Sequence, residues 1–243
     1  MIDTDMSTVE FYLENGFAIL HNAIDSEAIE NYIRMCDEKT WNKHDAYLEH
    51  PEILDILCSG KIQDFFYSAG MGVALHATRT LEQSSKMPWH HDSVLENEVA
   101  GDNYIGVWVA LEDIDESSGP LELIAKSHKW DLDFGKIYKR DSEWSGDYNS
   151  YELLVEEIKK RNEPIFKFLA KKGDILIWHG RLVHRGAEPI NERLTRKSLI
   201  GHYCNMYSNE GSKSYPSVEK LTQELEETVD IFSRWKNGGY YFK

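Results

Sequence analysis

Three short stretches of the 243-residue chain carry side chains that can do chemistry together. The first is Trp89-His90-His91-Asp92, a His-x-Asp in which alternate residues of an extended strand project to one side. The second runs from Gly173-Asp174 to His184 and ends on another imidazole far downstream. The third is Arg196-x-Ser198. Two imidazoles and one carboxylate can occupy one face of an octahedral metal ion and leave the other positions open, the ligand set of non-heme Fe(II) oxygenases. A guanidinium suits the second task of such a site. Arg196 can grip the distal carboxylate of a metal-chelating 2-oxoacid in a two-pronged ion pair, and the Ser198 hydroxyl adds a donor.

Each piece alone is weak. The chain holds ten histidines, and a single His is more often a hydrogen-bonded core or surface residue than a ligand. His50-Pro51-Glu52 is a second His-x-acid whose proline suits a helix start, not a ligand strand. The specific feature is the order: His-x-Asp, a β-rich interval, a distal His, then Arg-x-Ser.

The elements that must position these residues change character along the chain. The first seventy residues carry helical signals. Ser7-x-x-Glu10 is a capping box and Gly16 a stop; Asp25 caps a helix with Ala28, Ile29, Tyr32, Ile33 and Cys36 at helical spacing. Pro51 opens a third helix ending at Gly60, and a fourth around Ile62, Phe65 and Phe66 stops by Gly70. Beyond Gly70, residues 73–81, 104–111, 121–125, 165–169, 174–178, 182–184 and 198–207 are short β-branched or aromatic segments punctuated by Gly, Pro, Asn and Asp. The expected architecture is mainly β with flanking helices. It is a single domain over 1–243: N-terminal helices in 1–70, a β core in 71–207 with a lid or insertion near 127–163, and a C-terminal helix and tail in 208–243, the helix spanning 217–235.

Composition bounds the partners. Asp and Glu number 42 against 27 Lys and Arg, a formal net charge of −15, which disfavours nucleic acid and anionic membrane surfaces. Hydrophobic residues at 41% and aromatics at 12% favour a packed core over disorder. The three cysteines, Cys36, Cys58 and Cys204, form no CxxC pair and suit reduced thiols in a cytoplasmic protein. No apolar run approaches the roughly 18 residues of a membrane helix, and the first residues lack a basic-then-apolar leader. The expected partner is a small-molecule substrate, with no nucleic acid or membrane, for a monomer or homodimer.

Taken in order, several motifs resemble the phytanoyl-CoA dioxygenase family. They are Trp89-His90-His91-Asp92, Val107-Trp108-Val109-Ala110-Leu111, Ser118-Gly119-Pro120-Leu121, Ser127-His128-Lys129, Gly173-Asp174 running to His184, and Arg196-Lys197-Ser198. Phe11-Tyr12-Leu13-Glu14-Asn15-Gly16-Phe17 is similar to the family's opening helix and strand, so the resemblance spans roughly residues 8–207. It implies a double-stranded β-helix, a cupin-like jelly roll. It also implies an Fe(II)- and 2-oxoglutarate-dependent dioxygenase using O2, with ascorbate as a candidate reductant. Carried over by position, His90, Asp92 and His184 match the catalytic iron ligands and Arg196 the 2-oxoglutarate carboxylate binder. Trp108 matches a residue lining the cosubstrate pocket, and His91 stands where the family often has Gln. Thr78, on the preceding strand, is a further candidate for a polar cosubstrate contact.

The chain departs from the family pattern in places. Gly186 stands two residues after the distal His, where Ser is frequent, so a cosubstrate hydrogen bond is either missing or supplied by Ser198. Arg196 falls about one residue late, implying a short insertion near 188–194, and Lys126 replaces a Gly before Ser127-His128. His128 and His179 recur in the family as structural residues.

The resemblance implies hydroxylation of a C–H bond with release of succinate and CO2. Halogenases on this scaffold resemble hydroxylases whose carboxylate ligand is replaced by a small residue; Asp92 keeps that carboxylate. Two other readings compete: a cupin-like metal-dependent isomerase without 2-oxoglutarate, in which Arg196-x-Ser198 has no clear duty, and a catalytically silent binding domain, which a missing ligand would have suggested. Family members act on acyl-CoA thioesters, amino acids, phosphonates and natural products. The absence of an obvious basic cluster for a CoA nucleotide favours a small metabolite or natural-product intermediate.

Overall fold

The computed structural model describes residues 6–39, 41, 43–44, 46–48, 50, 52–92, 104–132, 151–205, 232–234 and 240–242. Helix α1 (Thr8–Asn15) begins at the capping box: the Glu10 amide donates to Ser7 Oγ, and the Glu10 carboxylate accepts from the Ser7 amide. It stops at Gly16, whose φ of 83° an L side chain resists. Asp25 caps α2 (Ser26–Glu38), which buries Ile29, Tyr32 and Cys36. Helices α3 (Ile53–Leu57) and α4 (Gly60–Ser68) bury Ile53, Ile56 and Leu57, then Ile62, Phe65 and Phe66.

A strand falls inside this helical region: Phe17–Leu20 is β1, following α1 as the resemblance to the family's opening helix and strand implies. Four residues show too little periodicity to announce it. Pairing with a distant edge, Phe17 opposite Trp178 through Leu20 opposite Ile175, makes it one.

The β core follows as β2 (Val73–Leu81), β3 (Tyr104–Ala110), β4 (Leu121–Ile124), β5 (Ile165–Phe168), β6 (Ile175–His179), β7 (His184–Gly186) and β8 (Ser198–Asn205), then β9 (Phe232–Arg234) and β10 (Tyr240–Phe242). Seven strands form one sheet in the order β1-β6-β3-β8-β2-β10-β9, and three form a second, β5-β4-β7. Every pairing is antiparallel except β10 on β2. The outer face of the large sheet packs Ile105, Val107, Val109, Ile177 and Leu199 against the helices. Its inner face sets Phe17, Trp108, Leu176 and Trp178 against Leu121, Leu123 and Phe168 of the small sheet. This is a double-stranded β-helix with flanking helices, and β3 is buried along its whole length because it is covered on both faces.

A register shift in β2 decides which side chains reach the space between the sheets. Leu75 lies opposite Tyr203 but Ala77 lies opposite His202, so the strand is bulged between them. Val73 and Leu75 point to the helix side. Unbroken alternation would then turn Thr78 and Thr80 inward; the bulge reverses this. Ala77, Arg79 and Leu81 share the inner face with His202, Ile200 and Ser198, and Thr80 faces outward to hydrogen-bond Lys43.

Other expectations are adjusted. The strand expected at 182–184 begins at His184 and runs on to Gly186. Among the described residues the interval near 127–163 contains the 3-10 turn Ser127–Lys129 and helix α5 (Tyr151–Arg161); residues 133–150 lie outside the described set. The helix expected over 217–235 lies mostly outside it, but 232–234 are strand, because they pair with β10 at the sheet edge. Lys126 keeps the left-handed φ of 65° that its position in the turn demands, although it is not glycine, and its ammonium is tied to Glu14 at 2.7 Å. Cys36 and Cys58 are buried and in no disulfide. Among the described residues, no helix is long and apolar enough to cross a membrane.

Candidate metal centre

His90 and His184 are fastened directly to each other through the backbone. They form an isolated antiparallel bridge, His90 N–H to His184 O at 3.0 Å and His184 N–H to His90 O at 2.9 Å. Such opposed residues present neighbouring side chains, and the two rings lie 4.3 Å apart, centroid to centroid. This bridge, and not the regular strand expected from the His-x-Asp spacing, brings the segments together. Asp92 completes the set: Asp92 Oδ1 is 3.5 Å from His90 Nε2 and 3.7 Å from His184 Nε2. Donor atoms of the three residues all lie within 4.8 Å of one another.

The donor chemistry fits a divalent metal. His90 Nδ1 lies 2.7 Å from Pro88 O, and His184 Nδ1 lies 2.8 Å from Leu182 O. A carbonyl only accepts, so each Nδ1 must carry the proton and each Nε2 must offer its lone pair to the shared centre. Burial lowers the His184 pKa to about 4, which keeps the ring neutral and ready to ligate. Burial pushes the Asp92 carboxyl up, but His184 and His90 outweigh it together, and its pKa falls below the usual carboxylate range. The Trp178 indole N–H donates to Asp92 Oδ2 at 2.7 Å, leaving Oδ1 facing the imidazoles. Beside the triad, the Arg185 guanidinium lies 4.6 Å above the Trp89 ring and pairs with Glu122 at 2.7 Å, holding the segments that carry His90 and His184 against β4.

The triad opens into a cavity of about 210 Å³ between the sheets. Arg196, 1% exposed, lines it; the Arg196 amide donates to Glu82 O at 2.7 Å and its Nη1 to Gly119 O at 3.4 Å. Among the described residues its Nε has no partner, and neither does the buried Trp108 Nε1, whose ring lies 5.7 Å beneath the guanidinium. Burial lowers the Arg196 pKa to about 10, so it remains a cation. A buried guanidinium with unmet donors is the cradle a carboxylate would fill. Before Arg196 the chain makes a turn in which Leu194 N–H donates to Asn191 O.

The remaining candidates separate. Trp108 lines the cavity. The Ser198 hydroxyl is buried without a partner among the described residues, on the same side of β8 as the cavity residues Ile200 and His202. His91 is fully buried and does not line the cavity. Thr78 borders the cavity, but the bulge places it opposite Gly201 on the helix-facing side, and Arg79 takes the inward position. Residues missed in sequence also emerge. Trp178 and His202 line the cavity with rings 6.4 Å apart, and Ser85 reaches the space beside Gly186: a Cβ on Gly186 would lie 2.7 Å from Ser85 Oγ. A serine hydroxyl is thus present next to Gly186, contributed from another segment. The rings of His128 and His179 contact each other at a tilt, 5.4 Å apart, and neither belongs to the triad.

Fold and site together define the class of non-heme iron, 2-oxoglutarate-type oxygenases on a double-stranded β-helix. Residues 42–198 match the family model "Phytanoyl-CoA dioxygenase (PhyH)", and the chain belongs to that family. Peroxisomal phytanoyl-CoA dioxygenase of Bos taurus is 23% identical over 262 residues, covering 91% of this chain and 74% of the relative. Among solved structures, the α-ketoglutarate-dependent epimerase SnoN from nogalamycin biosynthesis superposes with a TM-score of 0.64 at 18% identity, covering 85% of this chain and 86% of SnoN. EctD from S. alaskensis with 2-oxoglutarate and 5-hydroxyectoine superposes with a TM-score of 0.64 at 16% identity, covering 90% and 83%.

Proposed function

We propose that this chain is an Fe(II)- and 2-oxoglutarate-dependent dioxygenase that hydroxylates a C–H bond of a small molecule. The observation that carries this is the convergence of His90, Asp92 and His184, with both imidazole tautomers set by backbone carbonyls. Iron and 2-oxoglutarate, when bound, supply O2 activation coupled to release of succinate and CO2. The chain supplies the rest. His90 Nε2, His184 Nε2 and Asp92 Oδ1 ligate the metal, and Trp178 holds Asp92 through its other oxygen. Arg196 binds the distal carboxylate of 2-oxoglutarate over Trp108, whose indole N–H is a further unspent donor. Ser85, Ser198 and His202 place polar groups at or beside the cavity wall, and Tyr104, Trp108 and Trp178 exclude water from it.

Retention of Asp92 supports hydroxylation over halogenation, and EctD, with 2-oxoglutarate and 5-hydroxyectoine in its structure, supports it by analogy. SnoN shows the same fold in an epimerase, so product analysis must accompany the assay. An isomerase working without 2-oxoglutarate would leave the buried donors of Arg196 and Trp108 unmet, which speaks against it. The test is substrate-dependent succinate formation, together with metal content after desalting, in His90→Ala, Asp92→Ala and His184→Ala. Loss of both in all three is expected. Full activity in any one of them overturns the assignment.

A further inference from the structure

A second guanidinium faces the same cavity. The β2 bulge turns Arg79 inward beside Ile200, and Arg79 lines the cavity with His44, Tyr104 and His202. Its Nε is buried without a hydrogen-bond partner, and among the described residues no carboxylate pairs with it. Among the described residues, the only acidic one lining the cavity is Asp92, whose two oxygens are committed to Trp178 and to the triad centre. Arg79 is only partly buried as a residue, but a buried guanidinium nitrogen without a partner is costly, and a ligand in the cavity would complete it.

We propose that Arg79 anchors a carboxylate of the primary substrate, so that the enzyme acts on small carboxylic acids. This rests on the oxygenase reading above. In that reading a divalent metal and Arg196 are balanced by Asp92 and the 2-oxoglutarate dianion, and among the described residues lining the cavity Arg79 is the cation left without a counter-charge. Its planar fork suits the two oxygens of a carboxylate. Tyr104 and Trp178, on neighbouring strands of the same inner face, wall the space beside it for the acid's carbon skeleton.

The test uses benzoate and benzamide, of like shape and different charge, titrated calorimetrically into protein loaded anaerobically with Fe(II) and 2-oxoglutarate. Wild type should bind benzoate about tenfold or more tightly than benzamide. Arg79→Gln should erase the preference, and Arg79→Lys, which keeps the charge, should retain part of it. Absence of any preference in wild type, or its persistence in Arg79→Gln, overturns the proposal. So does a loss of 2-oxoglutarate affinity in Arg79→Gln equal to that in Arg196→Gln, read from the charge-transfer band, because Arg79 would then serve the cosubstrate. A wild type with no such band removes the oxygenase reading instead. In that event benzoate binding to metal-free Arg196→Gln, with and without Arg79→Gln, still decides the Arg79 site.

Discussion

Trp178 Nε1 donates a 2.7 Å hydrogen bond to Asp92 Oδ2, across 86 residues of sequence and in a buried setting. The bond occupies one carboxylate oxygen and leaves the other, Oδ1, 3.5 Å from His90 Nε2 and 3.7 Å from His184 Nε2. It orients a ligand that would otherwise rotate about its own χ2 or offer both oxygens. Trp178→Phe keeps the ring and removes only the donor. We expect metal affinity to fall about tenfold or more, with the melting temperature little changed, as measured by Mn(II) or Fe(II) titration against scanning calorimetry. Undiminished affinity would show that packing alone positions Asp92.

Gly106 is what admits that indole. It lies opposite Trp178 in the β3–β6 register, and a Cβ added there would be driven into the Trp178 ring. Gly106→Ala should therefore destabilise by about 1–3 kcal/mol and weaken metal binding, because displacing the ring breaks its bond to Asp92. The two sites touch, so their effects should not add. In a Trp178→Phe background, Gly106→Ala should cost less metal affinity than in wild type, because the bond is already absent. Denaturant melts and metal titrations of the four-protein cycle measure both quantities.

Arg196→Gln removes the charge and the fork while keeping some side-chain volume. The KM for 2-oxoglutarate should rise about 10- to 100-fold, with metal affinity unaffected in the absence of cosubstrate. Anaerobic titration of the metal–2-oxoglutarate band checks the first statement, and metal titration alone checks the second. An unchanged KM would move the cosubstrate carboxylate to another cation.

The acid limb of stability should carry a signature of His179. Burial, with help from the charges of His128 and Arg181, lowers its pKa to about 4, against 6.5 in an unfolded chain. Between pH 6.5 and 4 the unfolded state therefore binds more protons than the folded state, and stability falls as the pH falls through that window. The loss should be on the order of 1–2 kcal/mol, less than the full shift converts to because the ring is not wholly enclosed. His179→Gln, which cannot titrate, should flatten this limb in melts taken from pH 7 to 4.

Much of the site was legible in one dimension because metal chemistry constrains residue type. Only imidazole and carboxylate supply this ligand set, so His90, Asp92 and His184 were visible from identity and order, as was the guanidinium of Arg196. The helices were legible where local chemistry decides them: the Ser7–Glu10 capping box, the Asp25 cap and the apolar spacing of α2. Strand β1 was indicated only by the resemblance around Phe17, because a four-residue strand owes its existence to pairing with β6 and not to its own pattern.

By itself, then, the sequence determined the donor set, the β-rich core and the family, since each is written in residue types and their order. The tertiary structure alone decided three contacts that no spacing rule contains. Trp178 reaches Asp92 because Gly106 leaves room on the adjoining strand. Ser85 comes to lie beside Gly186 because two distant segments meet there. The bulge between Leu75 and Ala77 reverses the alternation of β2, so Arg79 and not Thr78 turns its side chain inward. A period-two pattern tells which residues share a face only while the ladder is unbroken, and pairing with β8 is what breaks it.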